Sequence, residues 1–418
     1  MKQKHFLSVI LSLLVVILPF TASATVPVTT HQVPSDSQQE SIQLEEIYSK
    51  GITFAAMMDA VRFYEEMDLS GQWEMIPEGP LLRLNDSHWQ VPVLRRQLLL
   101  HGDLELVTAD TEMPELFDVM LHQALSRFQE RHGTKIDGIL GPESRRLLNI
   151  TPRHRADLLM LNLDRQEDFL THSGQRYIQV NIPEYKLRLY DQGEVLLDMK
   201  TIIGRKTRQT PVFNTTVKTL VINPSWNVPK SIAFKDILPL WRKDKSYLSR
   251  RNLIVLSGWS DVRVVVPTDQ VDPEEMYQGA KYYRLWEPPG IKNALGRIKF
   301  ISRSQYAIYL HDTPTRHLFN QPKRAFSSGC IRLEKARDLA DALLMLASKP
   351  ESPDLDPLFD TDKTHKVSLA EPVPLYVTYW TAWVDENGVL NFRDDLYRHD
   401  RVELAQRKRE QKQVNILQ

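Results

Sequence analysis

The sequence predicts an α+β protein: a mainly-β domain with an inserted lid-like subdomain, preceded by a small domain of three helices. Short alternating apolar segments recur between residues 177 and 222 and indicate strands. Apolar residues at helical spacing, separated by turn-forming glycines, occupy residues 91–152. The strand pattern fades between 230 and 289. The charges balance at 53 Lys+Arg and 53 Asp+Glu, so the composition predicts no general attraction to nucleic acid.

The first 24 residues have a different composition. Lys2 and Lys4 form a basic start, an almost unbroken apolar run covers residues 6–20, and Ala22-Ser23-Ala24 fits a small-residue cleavage site. Residues 1–24 are therefore predicted to be a secretory signal peptide, with an uncleaved membrane anchor as the alternative. In either case the rest of the chain is expected to be exported.

The remaining chain divides by composition and periodicity. Residues 25–40 are predicted to be a linker, and residues 41–90 an N-terminal scaffold region with partial helical periodicity. A connecting helix is expected in 153–174 and an exposed helix or tail in 401–418. Between them, 175–400 would form the β domain, with 230–289 as the inserted subdomain, either a lid over a groove or a unit packed elsewhere. A late strand pair within 374–392 is expected to complete the sheet.

Cys330 is the only cysteine of the chain, and His311 precedes it by 19 residues (311 to 330). A lone cysteine is usually a small buried apolar residue. An unpaired cysteine in an exported protein, however, suggests a reactive thiol, because no partner exists for an intramolecular disulfide. Apolar residues at helical spacing follow Glu334. We therefore predict that Cys330 lies near a helix N-terminus, whose dipole favours a thiolate.

The sequence around this cysteine carries a family pattern. Tyr309-Leu-His-Asp-Thr is followed by Ser327-Ser-Gly-Cys-Ile-Arg. This closely resembles the active-site signature of the L,D-transpeptidase catalytic domain, a histidine followed by Ser-X-Gly-Cys-X-Arg. Ser328 departs from the histidine or threonine that many members carry. Gly204, Thr210-Pro211 and the segment 223–229 also resemble this family, so the resemblance covers most of 175–345.

A second resemblance covers residues 91–152. Phe128-Gln129, Gly133, Asp137-Gly138 and Gly141, with Ser144 where threonine is usual, resemble the three-helix peptidoglycan-binding domain. Glycines at these positions suit tight turns. The alternative is a helical bundle without a ligand.

The resemblance implies roles for individual residues. Cys330 would attack the carbonyl of the third residue of a peptidoglycan stem peptide, releasing the terminal D-alanine and forming a thioester. His311 would be the general base. The N–H groups of Gly329 and Cys330 are candidates for the oxyanion hole. Asp312 would contribute a main-chain carbonyl that orients the imidazole, and not its carboxylate.

Three further residues are candidates for substrate binding. Arg332 would bind a substrate carboxylate, with a structural ion pair as the alternative. Tyr309 and Ser328 flank the two catalytic residues. His317 lies in the variable gap and is predicted not to act as a base. The family implies no metal or organic cofactor.

Several functions remain open from the sequence. The resemblance favours a periplasmic enzyme that joins a donor tetrapeptide to an acceptor stem peptide in a 3→3 cross-link. Water as the acceptor would give an L,D-carboxypeptidase, and a lipoprotein lysine would give an anchoring enzyme. In another class, the chain would be a non-catalytic wall-binding protein. A retained N-terminal anchor would associate the protein with the inner membrane.

Overall fold

The computed structural model describes residues 54–105, 113–258, 264–276, 283–346 and 354–417. All of them belong to one compact unit, Leu44–Gln418. The predicted signal peptide and linker, residues 1–40, lie outside the described residues. Within the described residues, no helix is long and apolar enough to cross a membrane.

Four helices form the N-terminal part of the described chain. They are α1 (54–70), α2 (Val91–Leu100), α3 (Val119–Arg131) and α4 (Pro142–Leu148). Helix α3 begins where the Asp118 carboxylate accepts a hydrogen bond from Leu121 N at 2.8 Å, and α4 begins with Pro142 in its first turn. Helices α2 to α4 share one apolar core around Phe128. The three helices predicted in 91–152 are confirmed.

The motif residues of this helical region bond to one another. The Gln129 side chain donates hydrogen bonds to Asp137 Oδ1 and Ser144 Oγ, both at 3.0 Å. Its Oε1 accepts from the main-chain N–H groups of Asp137 and Gly138 at 3.0 and 2.8 Å. Gly138 has φ +61°, a conformation that favours glycine. The motif therefore builds the turn between α3 and α4.

Helix α5 (Pro152–His172) follows directly and confirms the connecting helix predicted in 153–174. The Thr151 side chain accepts a hydrogen bond from His154 N and caps its start. Apolar side chains of α5, including Leu159, pack against Met57 and Tyr64 of α1. Helices α1 and α5 therefore share one apolar core beside the β domain.

Fifteen strands follow within the described residues. They are β1 (Arg176–Asn181), β2 (Lys186–Asp191), β3 (Glu194–Gly204), β4 (Phe213–Ile222), β5 (Trp226–Asn227), β6 (Ile254–Ser257), β7 (Val264–Val266), β8 (Tyr283–Glu287), β9 (Ile298–Ser302), β10 (Leu310–His311), β11 (Ala325–Ser327), β12 (Ile331–Leu333), β13 (His365–Thr378), β14 (Ala382–Val384) and β15 (Leu390–Phe392).

Nine of these strands form one sheet in the order β11-β3-β12-β10-β9-β4-β13-β1-β2. Strand β2 also pairs with β3, so the sheet closes on itself. Alternate residues such as Ile178, Val180 and Leu187 are fully buried inside it, as the alternating sequence predicts. Helix α9 (Ala336–Met345), whose Leu339 and Leu343 belong to this core, covers it.

The inserted region is a small α/β unit with its own core. Short helical segments are followed by a four-stranded sheet in the order β5-β8-β6-β7. The helical segments are α6 (Lys230–Ile232), a π-helical turn (Ala233–Ile237), α7 (Leu238–Lys243) and α8 (Tyr247–Arg250). The sequence did not predict strands β6 to β8. Each has only three to five residues, too few for a clear alternating pattern.

One expectation about the C-terminal region is corrected. Strands β14 and β15 form a separate two-stranded sheet and do not complete the large one. Phe392 and Ala382 of this hairpin pack instead into the core that α1 and α5 share. After α10 (Asp356–Phe359), strand β13 enters the large sheet between β4 and β1. Of the two alternatives for 401–418, a helix or a tail, the structure has a helix, α11 (His399–Leu417).

Candidate active site

His311 lies in the middle of three paired strands. It is opposite Lys299 of the antiparallel strand β9 and opposite Arg332 of the parallel strand β12. Residues opposite one another in a sheet project to the same face, so the three side chains lie side by side. The preceding residue, Leu310, is fully buried and points to the core on the other face.

Cys330 and Tyr309 lie two residues before Arg332 and His311, and therefore on the same face of the sheet. The main chain links them, because Ile331 N donates to Tyr309 O at 3.0 Å. The structure thus brings five of the predicted residues together in one cavity of about 850 Å³: Tyr309, His311, Ser328, Cys330 and Arg332.

The inserted subdomain supplies the opposite wall of this cavity. Ile237 and Leu240 of its helical segments and Leu253 beside β6 line it, together with Trp226 of β5. The position agrees with the lid hypothesis for 230–289, and covering a reacting thiol with apolar side chains limits its exposure to water.

Positive charge dominates the described lining of the cavity. Two acidic side chains, Asp236 and Glu287, face it, and Asp236 is paired with Arg208. The basic residues are more numerous: Arg205, Lys235, Arg251, Lys299 and Arg332. Such a cavity suits a ligand that carries several carboxylates.

The imidazole of His311 is held by main chain. Its Nδ1 lies 2.6 Å from the carbonyl oxygen of Asp312, which accepts the ring hydrogen and leaves Nε2 as the basic nitrogen. Burial lowers the pKa of His311 to about 3; the charge of Arg332 acts in the same direction, and the Asp312 carbonyl opposes both. At that pKa the imidazole is neutral at physiological pH, so the lone pair of Nε2 is free to accept a proton.

The carboxylate of Asp312 has a different function. Its Oδ2 accepts a hydrogen bond from Arg297 N at 2.9 Å, and its Oδ1 accepts from Arg316 at 3.2 Å. A Cβ at Gly296 would lie 2.4 Å from Oδ2, so the carboxylate packs closely on that turn. These contacts fix the loop before β9, in agreement with the expectation that Asp312 contributes only its main chain.

Cys330 is partly buried. Burial raises the pKa of its thiol, while a main-chain hydrogen bond from Tyr309 and the charges of Lys299 and Arg332 act in the opposite direction. The predicted helix dipole is wrong: strand β12 and a turn separate Cys330 from α9, which begins at Ala336. The helix predicted after Glu334 is present but begins at Ala336. Ile331–Leu333, directly after Cys330, belongs to the sheet.

The turn before Cys330 has a tightly specified shape. Gly329 has φ +117°, a conformation that strains any residue with a side chain, and a Cβ there would lie 3.0 Å from Ile308. Thr210 Oγ1 donates to Gly329 O at 2.7 Å and accepts from Gly204 N at 2.9 Å. The turn is thereby attached to the loop after β3.

The two predicted oxyanion donors differ in their contacts. Gly329 N–H donates to Ser327 Oγ at 3.1 Å, and the same hydroxyl donates to Cys330 O at 2.5 Å. The Gly329 N–H is therefore engaged within the turn. Cys330 N–H remains the candidate donor, and the part of Gly329 is to shape the turn that presents it.

Ser328 is bound by the neighbouring loop. Its Oγ accepts a hydrogen bond from Arg208 at 2.8 Å, and Arg208 also pairs with Asp236 of the π-helical turn, with Nη2 to Oδ1 at 3.0 Å. This arrangement links the turn of Cys330 to the inserted subdomain. It favours a positioning role for Ser328 over direct substrate contact.

Arg332 and Tyr309 are both available to a ligand. Arg332 Nη1 donates to Thr315 Oγ1 at 3.2 Å, and its buried Nε has no hydrogen-bond partner in the described part of the chain. None of the described ion pairs involves Arg332, so its alternative reading as a structural ion pair is not supported. Tyr309 lies under the Lys299 ammonium, with Nζ 3.6 Å from the ring centroid.

His317 lies apart from this group. It is exposed in a 3₁₀ turn, Arg316–Asn320, and does not line the cavity, in agreement with its predicted exclusion. No group of three or more metal-binding side chains occurs in the described ranges.

Sequence reasoning missed Lys299 and Arg208. Lys299 lies in a strand with the alternating pattern Ile298-Lys-Phe-Ile-Ser, where a charged residue is normally read as solvent-facing. Only the pairing of β9 with β10 reveals that this face is the wall of the cavity. Arg208 has no local signal, because its partners are Ser328 and Asp236.

Comparison with known proteins finds similarity over the β domain. Residues 175–365 match the family model of the YkuD L,D-transpeptidase catalytic domain. This part of the chain is similar to the catalytic domain of L,D-transpeptidases. A Haemophilus influenzae protein with the curated name "Putative L,D-transpeptidase" is 36% identical over 236 residues. The match covers 56% of this chain and 46% of that protein, so the chain spans about half the length of this relative.

Solved structures of L,D-transpeptidases show weaker similarity. One from Xylanimonas cellulosilytica has 11% identity and a TM-score of 0.22, covering 72% of this chain and 99% of its own. L,D-transpeptidase 3 from Mycobacterium tuberculosis has 13% identity and a TM-score of 0.25, covering 49% of this chain and 61% of its own. Scores this low support no conclusion about the fold.

Proposed function

We propose that this protein is a peptidoglycan L,D-transpeptidase that joins stem peptides through 3→3 cross-links. The observation that carries the proposal is the placement of Cys330, on a glycine-shaped turn, in the same cavity as a neutral, main-chain-anchored His311. A thiol beside a base in a covered, cationic cavity is suited to acyl transfer from a peptide carrying carboxylates.

The first half-reaction transfers the donor to the enzyme. The Cys330 thiol gives its proton to His311 Nε2, and Sγ attacks the carbonyl carbon of the third stem-peptide residue. The carbonyl oxygen becomes an oxyanion near Cys330 N–H. Collapse of this intermediate breaks the bond to the terminal D-alanine, which leaves as the free amine after receiving the proton from His311. A thioester on Cys330 remains.

The second half-reaction repeats these steps with an acceptor amine. His311 takes a proton from the amine of a second stem peptide, the amine attacks the thioester carbonyl, and the thiol leaves. Arg332, with an unpaired buried Nε, is positioned to hold a carboxylate of either peptide. The inserted subdomain would act as a lid that keeps water from the thioester.

The acceptor determines which related activity results. Water in place of the amine would make the protein an L,D-carboxypeptidase, and a lipoprotein lysine would make it an anchoring enzyme. The apolar wall formed by Ile237, Leu240 and Leu253 favours the peptide acceptor, because it restricts water at the thioester. We further propose periplasmic action, with the N-terminal segment cleaved or retained as an inner-membrane anchor.

A non-catalytic wall-binding protein is the alternative from another class. The side chain of Gln129 bonds to Asp137, Gly138 and Ser144, which are residues of the same motif. These bonds account for the motif within the helical region, so the motif alone does not favour a wall-binding protein. The helical region would instead support the catalytic domain, with glycan binding as an additional proposal.

The test is product analysis with a disaccharide-tetrapeptide. The protein and its Cys330→Ala variant are incubated with this substrate, and the products are followed by mass spectrometry. Cysteine-dependent release of D-alanine with a cross-linked dimer supports transpeptidation. Release with only a tripeptide indicates hydrolysis. Equal turnover by Cys330→Ala would refute cysteine catalysis.

A further inference from the structure

Lys299 is a half-buried cation in the same cavity as Cys330. It projects from β9 on the face that also carries His311, its partner in the sheet. Its side chain extends along this face toward the preceding row of residues, where Nζ lies 3.6 Å from the centroid of the Tyr309 ring. Tyr309 is the neighbour of Cys330 across the β10–β12 pairing. The Lys299 ammonium is thus directed toward the part of the cavity that holds the Cys330 sulfur.

Lys299 has no carboxylate partner among the ion pairs of the described residues. The Lys299 ammonium lies over the electron-rich face of the Tyr309 ring, which attracts a cation but does not neutralise its charge. A partly buried ammonium without a counter-ion is unfavourable, unless an anion forms beside it. In this cavity, the thiolate of Cys330 is the anion that the chemistry itself creates.

Two usual sources of positive charge for a thiolate, an imidazolium and a helix N-terminus, contribute little here. Burial lowers the pKa of His311 to about 3, which disfavours a thiolate–imidazolium pair in the resting protein. Helix α9 begins after β12 and does not direct its N-terminus at Cys330. Arg332 is a second cation whose charge favours the thiolate, and one of its guanidinium nitrogens binds the neutral hydroxyl of Thr315.

We propose that Lys299 is a positioning residue of the reaction, whose ammonium stabilises the Cys330 thiolate from the cavity face of β9. The inference rests on the proposed function only in taking Cys330 as the nucleophile. The interaction is reciprocal: the charge of Lys299 favours the thiolate, and negative charge at Cys330 raises the pKa of Lys299 against the lowering effect of its burial. The acidic residues that line the cavity are Glu287 and Asp236, and both belong to the inserted subdomain, across the cavity from Lys299 and Cys330.

The experiment measures the reactivity of the thiol without any peptidoglycan. The full chain contains one cysteine, so alkylation by iodoacetamide, followed by intact mass, reports on Cys330 alone. Rates across pH 5 to 10 give the apparent pKa of the thiol in the native protein and in Lys299→Gln. We expect that pKa to rise by about one unit, so that alkylation below the midpoint is about tenfold slower.

Three variants make the result specific. Lys299→Met removes the charge but keeps an unbranched apolar stem over Tyr309, and is expected to behave as Lys299→Gln. Lys299→Arg keeps the charge and should retain a profile within about 0.3 units of the native one. Lys292→Gln removes one exposed positive charge from the loop before β9 and should leave the profile unchanged.

Native pH profiles in folded Lys299→Gln and Lys299→Met would overturn the proposal. A native alkylation profile combined with a raised KM for the tetrapeptide would also overturn it and would assign Lys299 to substrate binding. A shifted profile in a protein without transpeptidase activity would leave this inference standing and count only against the proposed function.

Discussion

Nδ1 of His311 lies 2.6 Å from the main-chain oxygen of Asp312, so a backbone carbonyl orients the candidate base, and none of the hydrogen bonds among the described residues joins the imidazole to a carboxylate. The Asp312 carbonyl carries no net charge, so it stabilises a protonated His311 less than a carboxylate would. This explains how burial can keep His311 neutral and how the site differs from a triad with a buried acid.

The first prediction concerns the two side chains at this position. His311→Gln should reduce acylation by a factor of about 10² to 10⁴, because the base is lost. Asp312→Asn should retain the carbonyl contact and lose far less activity, within about tenfold. Single-turnover release of D-alanine measures both. Equal, large losses in the two variants would show that the carboxylate takes part in catalysis.

The second prediction tests the attachment of the active-site turn. Thr210→Val removes the hydroxyl that joins Gly329 O to Gly204 N and leaves both groups without this partner. We expect a loss of about 1 to 3 kcal/mol in the free energy of unfolding and at least a tenfold fall in kcat. Urea unfolding and steady-state kinetics provide the measurements. The matched control is Thr207→Val, at an exposed position in the same loop, which should behave as the native protein.

The third prediction concerns the link to the inserted subdomain. Asp236→Asn weakens the pair with Arg208, which also donates to Ser328. Because the subdomain forms one wall of the cavity, we expect KM for the tetrapeptide to rise several-fold with a smaller change in kcat. Asp269→Asn, an exposed acid in the same subdomain, is the control. Deleting the subdomain without any change in acylation would refute its role as a lid.

The fourth prediction separates stability from catalysis. Gln129 is 1% exposed and bonds to Asp137, Gly138 and Ser144. Gln129→Leu leaves these buried groups unpaired and should cost about 2 to 4 kcal/mol of unfolding free energy. Exposed Gln123→Leu should cost little. Thiol alkylation of Cys330 at low temperature should be native in both. A slower alkylation rate in folded Gln129→Leu would indicate coupling to the active site.

The fifth prediction is a pH dependence of stability. Burial, with the charge of Asp395 in the same direction, raises the pKa of Asp400 to about 6, although Arg165 opposes this effect. The folded state therefore retains a proton that the unfolded state releases near pH 4. The stability contribution of Asp400 is complete below about pH 4 and is lost as pH rises through 6. The unfolding free energy of the native protein should fall by about 1 to 3 kcal/mol relative to Asp400→Asn between pH 4.5 and 7.5. A constant difference would contradict it.

The sequence predicted local features of the fold better than long-range ones. Strand β1, helix α5 and the helices around Phe128 follow from periodicity, because one face of each is buried. The destination of β14 and β15 was mispredicted, since a hairpin's sequence does not say which core it joins. The strands of the inserted subdomain were too short to be recognised.

In the candidate site, too, local features were predicted from the sequence and long-range ones were not. Spacing and residue type single out His311 and Cys330, whereas Lys299 becomes visible only through the pairing of β9 with β10. The expected helix dipole was wrong because three residues, Ile331–Leu333, pair with β3 and β10 before the helix starts. Pairing over long sequence distances is set by the whole sheet and not by the local pattern.

The most direct test of the central claim is the intact mass of the protein during reaction with a donor tetrapeptide. Rapid quenching should reveal a species heavier by the donor minus D-alanine, with the added mass on the peptide that contains Cys330. The adduct should be absent from Cys330→Ser and should disappear when an acceptor amine is supplied. Release of D-alanine without any adduct, at an equal rate in Cys330→Ser, would contradict a thioester on Cys330.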